Sequence, residues 1–124
     1  SNFMPEHLRP ILNACTVVPH VNQISFYAGH IQRACVSFCE EKNIVVEAYA
    51  PLATGAVFKQ PLVHTLAEKN GVTPAQLCIR YCLQKGHPAI PKSTHKERLA
   101  ENAKLSFDIS AEDMQALDAL DPVQ

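Results

Sequence analysis

The chain has 124 residues, of which 47% are hydrophobic and 19% are charged. That apolar content excludes a disordered tail, and because domains commonly run to about 100–200 residues we expect one folded domain. Eleven basic and twelve acidic side chains give a net charge of −1 without any basic block, which argues against nucleic acid or an anionic membrane as a partner. The apolar stretches fall well short of the ~20 residues of a membrane span, which predicts a soluble protein.

The amino terminus and the cysteine usage predict a cytoplasmic location. Residues 1–7 lack the basic start and the apolar core of a signal peptide. They also lack an initiator Met, which suggests that the sequence begins inside a longer one. The five cysteines are odd in number and lie in apolar stretches, as reduced cytosolic thiols do.

Four of the cysteines form two pairs with a spacing of four residues, Cys35 with Cys39 and Cys78 with Cys82. Four sulfurs are enough for a structural zinc site, but zinc cysteines usually stand close together on turns. These pairs fall in helix-like stretches instead. We therefore interpret them as small buried hydrophobic side chains.

The apolar pattern predicts short strands that alternate with longer helices. Apolar residues recur every three or four positions in the helical stretches, and continuous β-branched runs mark the strands. Thr73 and Gln76 form a capping box around Pro74, which predicts a sharp helix start. In chain order the predicted elements are a helix over 5–15, a strand over 17–24, a helix over 31–42, a strand over 44–49, helices over 62–69 and 73–85, a strand over 87–91, and helices over 96–103 and from 110 onward.

This alternation predicts an α/β protein with three parallel strands joined by right-handed crossovers. A free-standing sheet of this kind exposes the backbone of both outer strands. Apolar side chains near those edges, such as Val18, Val21 and Ile90, do nothing to prevent pairing. We therefore expect further strands to complete the sheet.

Polar side chains follow the predicted strands, and ligands of α/β sheets bind beyond the carboxyl ends of strands. Each of these residues also has a structural explanation when taken alone, such as a helix cap for Ser1, a strand amide for Gln23 or a core aromatic for Tyr49. The candidate positions are Ser1-Asn2 before the first helix, Asn22-Gln23, the run 49–52 and the run 92–95.

The end of the third strand combines the groups of an anion site. Lys92 supplies a point charge, while Ser93 and Thr94 supply hydroxyl groups. The amino terminus of the following helix favours negative charge. Arg98, one turn into that helix, adds a planar fork suited to phosphate. Taken alone, Lys92 is also compatible with a solvated surface lysine, and Ser93 or Thr94 with an ordinary helix cap.

Glu101 and Asn102 lie on the same helix face as Arg98, because they follow it at the spacing of one helical turn. A carboxylate and an amide suit the amino group of adenine, beside cations that hold a phosphate. The combination therefore indicates an adenine nucleotide as the ligand.

The same motifs resemble those of the aldo-keto reductase family over nearly the whole chain. The resemblance implies a (β/α)8 TIM barrel, of which residues 1–124 form a partial domain, the carboxyl-terminal half with the last three strands. It also implies NADP(H) as the cofactor and the reversible reduction of aldehydes or ketones to alcohols. The matching segments are Ser1-Asn2-Phe3, Val21-Asn22-Gln23-Ile24, the run 45–52, the run 71–76, and Ile90-Pro91-Lys92-Ser93 followed by Arg98, Glu101 and Asn102.

The resemblance also implies a role toward NADP(H) for each candidate residue. Ser1, Asn2 and Gln23 are expected at the nicotinamide carboxamide, and Tyr49 is expected to stack on the ring. Along the pyrophosphate we expect Pro51, Leu52 and the loop through Gly55; at the 2′-phosphate Lys92, Ser93 and Arg98; and at the adenine Glu101 and Asn102. Ala50 and Thr94 complete the predicted cofactor-binding set.

The resemblance assigns no catalytic residue to this chain. The family's proton-donating Tyr and its assisting Lys, Asp and His belong to the first half of the barrel, and Tyr27, Tyr49 and Tyr81 do not match that Tyr. We therefore expect the chain alone to bind NADP(H) weakly or not at all and to be inactive. The alternative is a non-catalytic protein that acts through its open sheet edges, by self-association or by complementing a separate amino-terminal half.

Overall fold

The computed structural model describes residues 1–123, which form a three-stranded parallel sheet with α-helices packed on one face. A 3₁₀ segment, Ala53–Lys59, follows the second strand. The regular elements are α1 (Pro5–Ala14), β1 (Val21–Ser25), α2 (Arg33–Glu41), β2 (Val45–Tyr49), α3 (Pro61–Asn70), α4 (Pro74–Gln84), β3 (Ala89–Ile90), α5 (Lys96–Asn102) and α6 (Ala111–Asp118).

The sheet has the strand order β1-β2-β3, and both neighbouring pairs are parallel, which confirms the predicted α/β class. β1 and β2 are in register along their full length, from Val21 opposite Val45 to Ser25 opposite Tyr49. Tyr49 also lies opposite Ile90 of β3. The carboxyl ends of β2 and β3 therefore meet at the same edge of the sheet, where the candidate residues follow.

The first strand begins later than the predicted boundary at residue 17. Pro19 has no N–H to donate to a neighbouring strand, and the first ladder bond runs from the Val45 N–H to the His20 carbonyl at 2.8 Å. Val17 is 69% exposed. β-branched residues alone therefore do not make residues 17–19 a strand, because no partner lies beside them.

The core lies between the sheet and the helices, and Ile24, Phe26 and Leu77 are among its fully buried side chains. Four of the five cysteines are also buried, with at most 3% of their surface exposed, which confirms their interpretation as core side chains; they are Cys35, Cys39, Cys78 and Cys82. Burial raises the pKa of the Cys78 thiol to about 12, so this sulfur stays protonated. Within residues 1–123, no three His, Cys, Asp or Glu side chains are grouped closely enough to hold a metal ion.

The opposite face of the sheet is open. Val21 and Val45, which face each other across β1 and β2, are 48% and 46% exposed, and Ile90 is 44% exposed. Gln23 and Glu47 lie on the same face, with the Gln23 Nε2 3.5 Å from the Glu47 Oε1. Among the helices of residues 1–123, none has the length and apolar character to cross a membrane.

Candidate cofactor-binding site

Two cavities of about 530 and 510 Å³ adjoin each other beyond the carboxyl ends of β2 and β3. They share the side chains of Leu52, Phe58, Lys92 and Arg98, so they form one continuous depression, called the groove below. The first cavity extends from these shared residues toward α5, and the second extends toward the loop after β2. Pockets of several hundred Å³ at this end of a parallel sheet are typical of ligand sites.

The wall of the second cavity is the loop that leaves β2. Ala50, Ala53 and Thr54 adopt left-handed backbone conformations with φ near +50°, and Gly55 has φ +93°. This conformation is uncommon for residues with a Cβ. The loop therefore turns back sharply instead of continuing away from the sheet, and it brings Pro51 and Leu52 against the residues that follow β3.

The wall of the first cavity is the segment that leads from β3 into α5. Ser93 does not cap the helix directly; its Oγ accepts a hydrogen bond from the His95 N–H at 3.1 Å, and His95 is the N-cap residue. α5 has only seven residues and no side-chain cap. The positive character of this wall therefore comes mainly from Lys92 and Arg98, and less from the helix terminus than the sequence pattern predicts.

Lys92 and Arg98 are exposed cations that line both cavities. Neither makes an ion pair with any carboxylate in residues 1–123; the ion pairs there join Lys69 to Asp113, Arg80 to Asp108 and Lys85 to Asp118. Two uncompensated cations in one depression attract an anion, and a guanidinium together with an ammonium suits a phosphate.

Glu101 and Asn102 line the first cavity together with Arg98, as their spacing predicts. The Glu101 carboxylate also makes a contact within the protein: its Oε1 accepts a hydrogen bond from the Thr73 hydroxyl at 3.0 Å. The sequence pattern did not reveal this contact. One carboxylate oxygen is thus used within the protein, and the other has no partner among the described residues.

The structure divides the sequence-predicted residues into two groups. Ser1, Asn2, Gln23 and Tyr49 lie beside β1 and β2 and do not line the groove. The residues that the structure brings together in the groove are Ala50, Pro51, Leu52, Gly55, Lys92, Ser93, Thr94, Arg98, Glu101 and Asn102.

The first residues of the chain are tied to β1. The Asn2 N–H donates to the Gln23 carbonyl at 2.8 Å. The buried Asn22 side chain makes two hydrogen bonds with the backbone of Phe3. Its Nδ2 donates to the Phe3 carbonyl at 2.8 Å, and its Oδ1 accepts from the Phe3 N–H at 3.3 Å. Ser1, Asn2 and Gln23 thus lie close together, as a shared role would need.

Sequence reasoning gave no role to two of the side chains that line the groove, Phe58 and Ala75. Phe58 lies in the 3₁₀ segment, which the sequence pattern marked only as a loop, and it borders both cavities. Ala75 borders the first cavity, which His95 of the predicted run 92–95 also lines. An aromatic residue shortly after Gly55 was the available signal for Phe58, whereas Ala75 carries no signal of this kind.

A family-level comparison identifies this architecture. The model described as "Aldo/keto reductase family" matches residues 1–122. The chain belongs to the aldo/keto reductase family. Reductases of this family use a nicotinamide cofactor.

Individual relatives agree with this assignment. The chain is 41% identical to an uncharacterised oxidoreductase of Schizosaccharomyces pombe over 98% of its own length and 45% of the relative. It is 36% identical to the glyoxal reductase of Bacillus subtilis, over 97% of this chain and 44% of the relative. The crystal structure of a Gox0644 mutant in complex with NADPH superposes with a TM-score of 0.93 at 45% identity, covering 97% of this chain and 45% of that one.

The aldo/keto reductase chain described here therefore spans less than half the length of the relatives that it matches. Its three parallel strands correspond to part of the TIM barrel of these structural neighbours. The open sheet face, and the outer edges of β1 and β3, beside which no further strand lies among residues 1–123, agree with a match to part of a barrel.

Proposed function

We propose that residues 1–124 form the NADP(H)-binding, carboxyl-terminal part of an aldo/keto reductase that reduces aldehydes or ketones to alcohols. The observation that carries this proposal is the groove, in which Lys92 and Arg98 have no carboxylate partner among residues 1–123 and lie beside Glu101. A 2′-phosphate supplies the missing negative charge, and the unused Glu101 oxygen accepts a hydrogen bond from an adenine amino group. The NADPH complex of a structural neighbour supports the choice of cofactor.

The remaining candidate residues are assigned by their positions. The loop 50–55 and the second cavity are proposed to accommodate the pyrophosphate. Ser1, Asn2 and Gln23 are proposed to bind the nicotinamide carboxamide, and Tyr49, at the end of β2, is proposed to stack on the ring. When bound, the nicotinamide supplies the hydride for carbonyl reduction, while the protein supplies placement and charge. The free thiols support a cytoplasmic location for this part of the protein.

Removing both cations, by Lys92→Ala together with Arg98→Ala, is expected to weaken NADPH binding about tenfold or more. Charge-assisted hydrogen bonds to a phosphate are worth about 1.5–3 kcal/mol each before solvent screening, and both side chains are exposed. The affinity is measured by NADPH fluorescence titration and, for weak binding, by NMR shifts of the residues along the groove.

A second Lys and Arg pair provides the matched control. Arg9 lies on α1 and Lys42 directly follows α2; they stand near the ring of Phe38 at 5.1 and 5.9 Å, and neither borders the groove. Arg9→Ala with Lys42→Ala changes the net charge equally and is expected to leave the affinity unchanged. NADH, which lacks the 2′-phosphate, should respond little to either double change. Equal NADPH affinity of wild type and the Lys92/Arg98 variant would remove the 2′-phosphate assignment.

The purified chain is expected to show no NADPH-dependent carbonyl reduction. The Tyr81 hydroxyl is buried and bound to the Asp118 carboxylate, and both effects raise its pKa. Tyr27 stacks on the His30 ring at 5.1 Å, and Tyr49 is assigned to the nicotinamide. No tyrosine of residues 1–123 is thus placed as a proton donor beside the cofactor. Steady-state assays with a small aldehyde test this, and turnover by the chain alone contradicts it.

A second candidate function is self-association or complementation through the open sheet. The exposed Val21, Val45 and Ile90 on one face favour it, as do the outer edges of β1 and β3, beside which no further strand lies among residues 1–123. The molecular mass in solution distinguishes the two candidates, because a monodisperse monomer is incompatible with edge pairing between copies.

A further inference from the structure

Helix α5 carries Arg98, Glu101 and Asn102, yet none of its seven residues is buried. Its one large apolar side chain, Leu99, is 51% exposed. Apolar packing therefore contributes little to holding this helix in place, and short helices are unstable alone in water. Other contacts must fix the position of these three groove residues.

Those contacts come from the first turn of α4. The Gln76 Nε2 donates one hydrogen bond to the Glu101 carbonyl at 3.0 Å and a second to the Lys104 carbonyl at 3.1 Å. The last carbonyl groups of a helix have no partners within the helix. One amide group of α4 thus binds the carboxyl-terminal turn of α5.

Thr73 completes the connection. Its hydroxyl donates to the Glu101 Oε1 at 3.0 Å and accepts from the Gln76 N–H at 3.2 Å. The Gln76 Oε1 in turn accepts from the Thr73 N–H at 2.9 Å. The capping box of α4 therefore has two functions: its acceptors cap α4, and its donors hold α5.

We infer that Gln76 and Thr73 are positioning residues, which fix α5 and with it the Arg98, Glu101 and Asn102 side chains of the groove. We call Thr73, Gln76 and their two partners, Glu101 and Lys104, the α4–α5 latch. The part of this inference that concerns the nucleotide rests on the proposed function.

The chemistry of the latch requires an amide at position 76. A glutamate there caps α4 equally well, because the cap uses only an acceptor oxygen. Only an amide also donates two hydrogen bonds to carbonyl groups. Only 8% of the Gln76 surface is exposed. Water therefore has little access to the two carbonyl groups and cannot readily replace the amide as their donor.

Gln76→Glu separates the two functions. The variant keeps the cap of α4 and places a carboxylate against the two carbonyl groups of α5. Amide hydrogen exchange of residues 97–104 is expected to accelerate roughly tenfold or more, since two hydrogen bonds are lost. Exchange within α4 is expected to stay unchanged.

Gln84→Glu is the matched control. Gln84 lies on the same helix, and its side chain bridges the backbone of Ile109 in the same way, with its Nε2 donating to the carbonyl at 3.0 Å and its Oε1 accepting from the N–H at 2.7 Å. This variant should accelerate exchange near residue 109 and leave residues 97–104 unchanged. Should Gln76→Glu fail to fold, Thr73→Val and Thr73→Ser serve instead, because only serine keeps the hydroxyl and should retain wild-type exchange in α5.

Binding of adenosine 2′,5′-bisphosphate distinguishes this inference from the proposed function. The expected result is a Kd raised about tenfold by Gln76→Glu and unchanged by Gln84→Glu, with similar melting temperatures. Unchanged exchange in α5 overturns the latch. Faster exchange with unchanged affinity overturns the positioning role. Failure of the wild type to bind this probe even at millimolar concentrations overturns the assignment of Lys92 and Arg98 to the 2′-phosphate, while the exchange data still decide whether the latch holds α5.

Discussion

Phe26→Ala is expected to lower the free energy of unfolding by about 4 kcal/mol, in the range observed when a buried phenylalanine is truncated. Phe26 is 1% exposed and follows β1 directly. Its ring stacks on Tyr81 with centroids 6.0 Å apart and meets the edge of His87 at 4.6 Å. It thus joins the end of β1 to α4 and to the segment that leads into β3, and its loss leaves a cavity between these parts of the fold. Urea denaturation followed by circular dichroism measures the change.

Phe58→Ala provides the comparison for this prediction. Phe58 is only half-buried and borders the groove, so its truncation should cost about 1–2 kcal/mol, at most half the cost at Phe26. It should also weaken NADPH binding, which Phe26→Ala should affect only through unfolding. Equal stability losses for the two variants would contradict the assignment of Phe26 to the core.

The order and type of the main elements could be predicted because they depend on local patterns. The β-branched run of β2 and the Thr73-Pro74 start of α4 each specify an element without help from distant residues. Two features differ from the prediction because they depend on partners or on backbone conformation. β1 begins only where β2 offers a partner, and the 3₁₀ segment begins with the left-handed conformations of Ala53, Thr54 and Gly55.

In the candidate site, too, the features set by local sequence could be predicted and those set by distant partners could not. Lys92, Arg98, Glu101 and Asn102 could be grouped from the sequence, because one helical turn and one strand end place them together. The link from Thr73 to Glu101 could not, since it joins residues 28 positions apart through side chains that also have a local explanation as a capping box. The capping box of α4 is enough to explain why Thr73 and Gln76 are present, so their sequence pattern does not indicate the additional contact with α5.

Asp118→Ala is expected to lower the free energy of unfolding by about 3 kcal/mol. The Asp118 Oδ1 accepts a hydrogen bond from the fully buried Tyr81, and its Oδ2 pairs with the Lys85 Nζ at 2.8 Å. Truncation leaves the Tyr81 hydroxyl without an acceptor and the Lys85 ammonium without its partner. Asp108→Ala is the matched control, because Asp108 is 83% exposed and its pair with Arg80 should contribute under about 1 kcal/mol.

The pH dependence of the stability of Asp118→Ala tests whether the Asp118 charge causes this loss. Burial alone would raise the pKa of Asp118, but the hydrogen bonds from Lys85 and Tyr81 outweigh it and lower this pKa. A carboxyl group with a lowered pKa in the folded state stabilises the fold above its ordinary pKa of about 3.9, and this contribution is lost as the pH falls through the folded value. The stability difference between wild type and Asp118→Ala should therefore be constant above about pH 5 and shrink below about pH 4. His87, whose pKa is lowered mainly by burial, reduces stability below about pH 6.5 in both proteins, so its effect cancels in the difference. A difference that persists unchanged at pH 3 would show that Asp118 acts through packing and not through its charge.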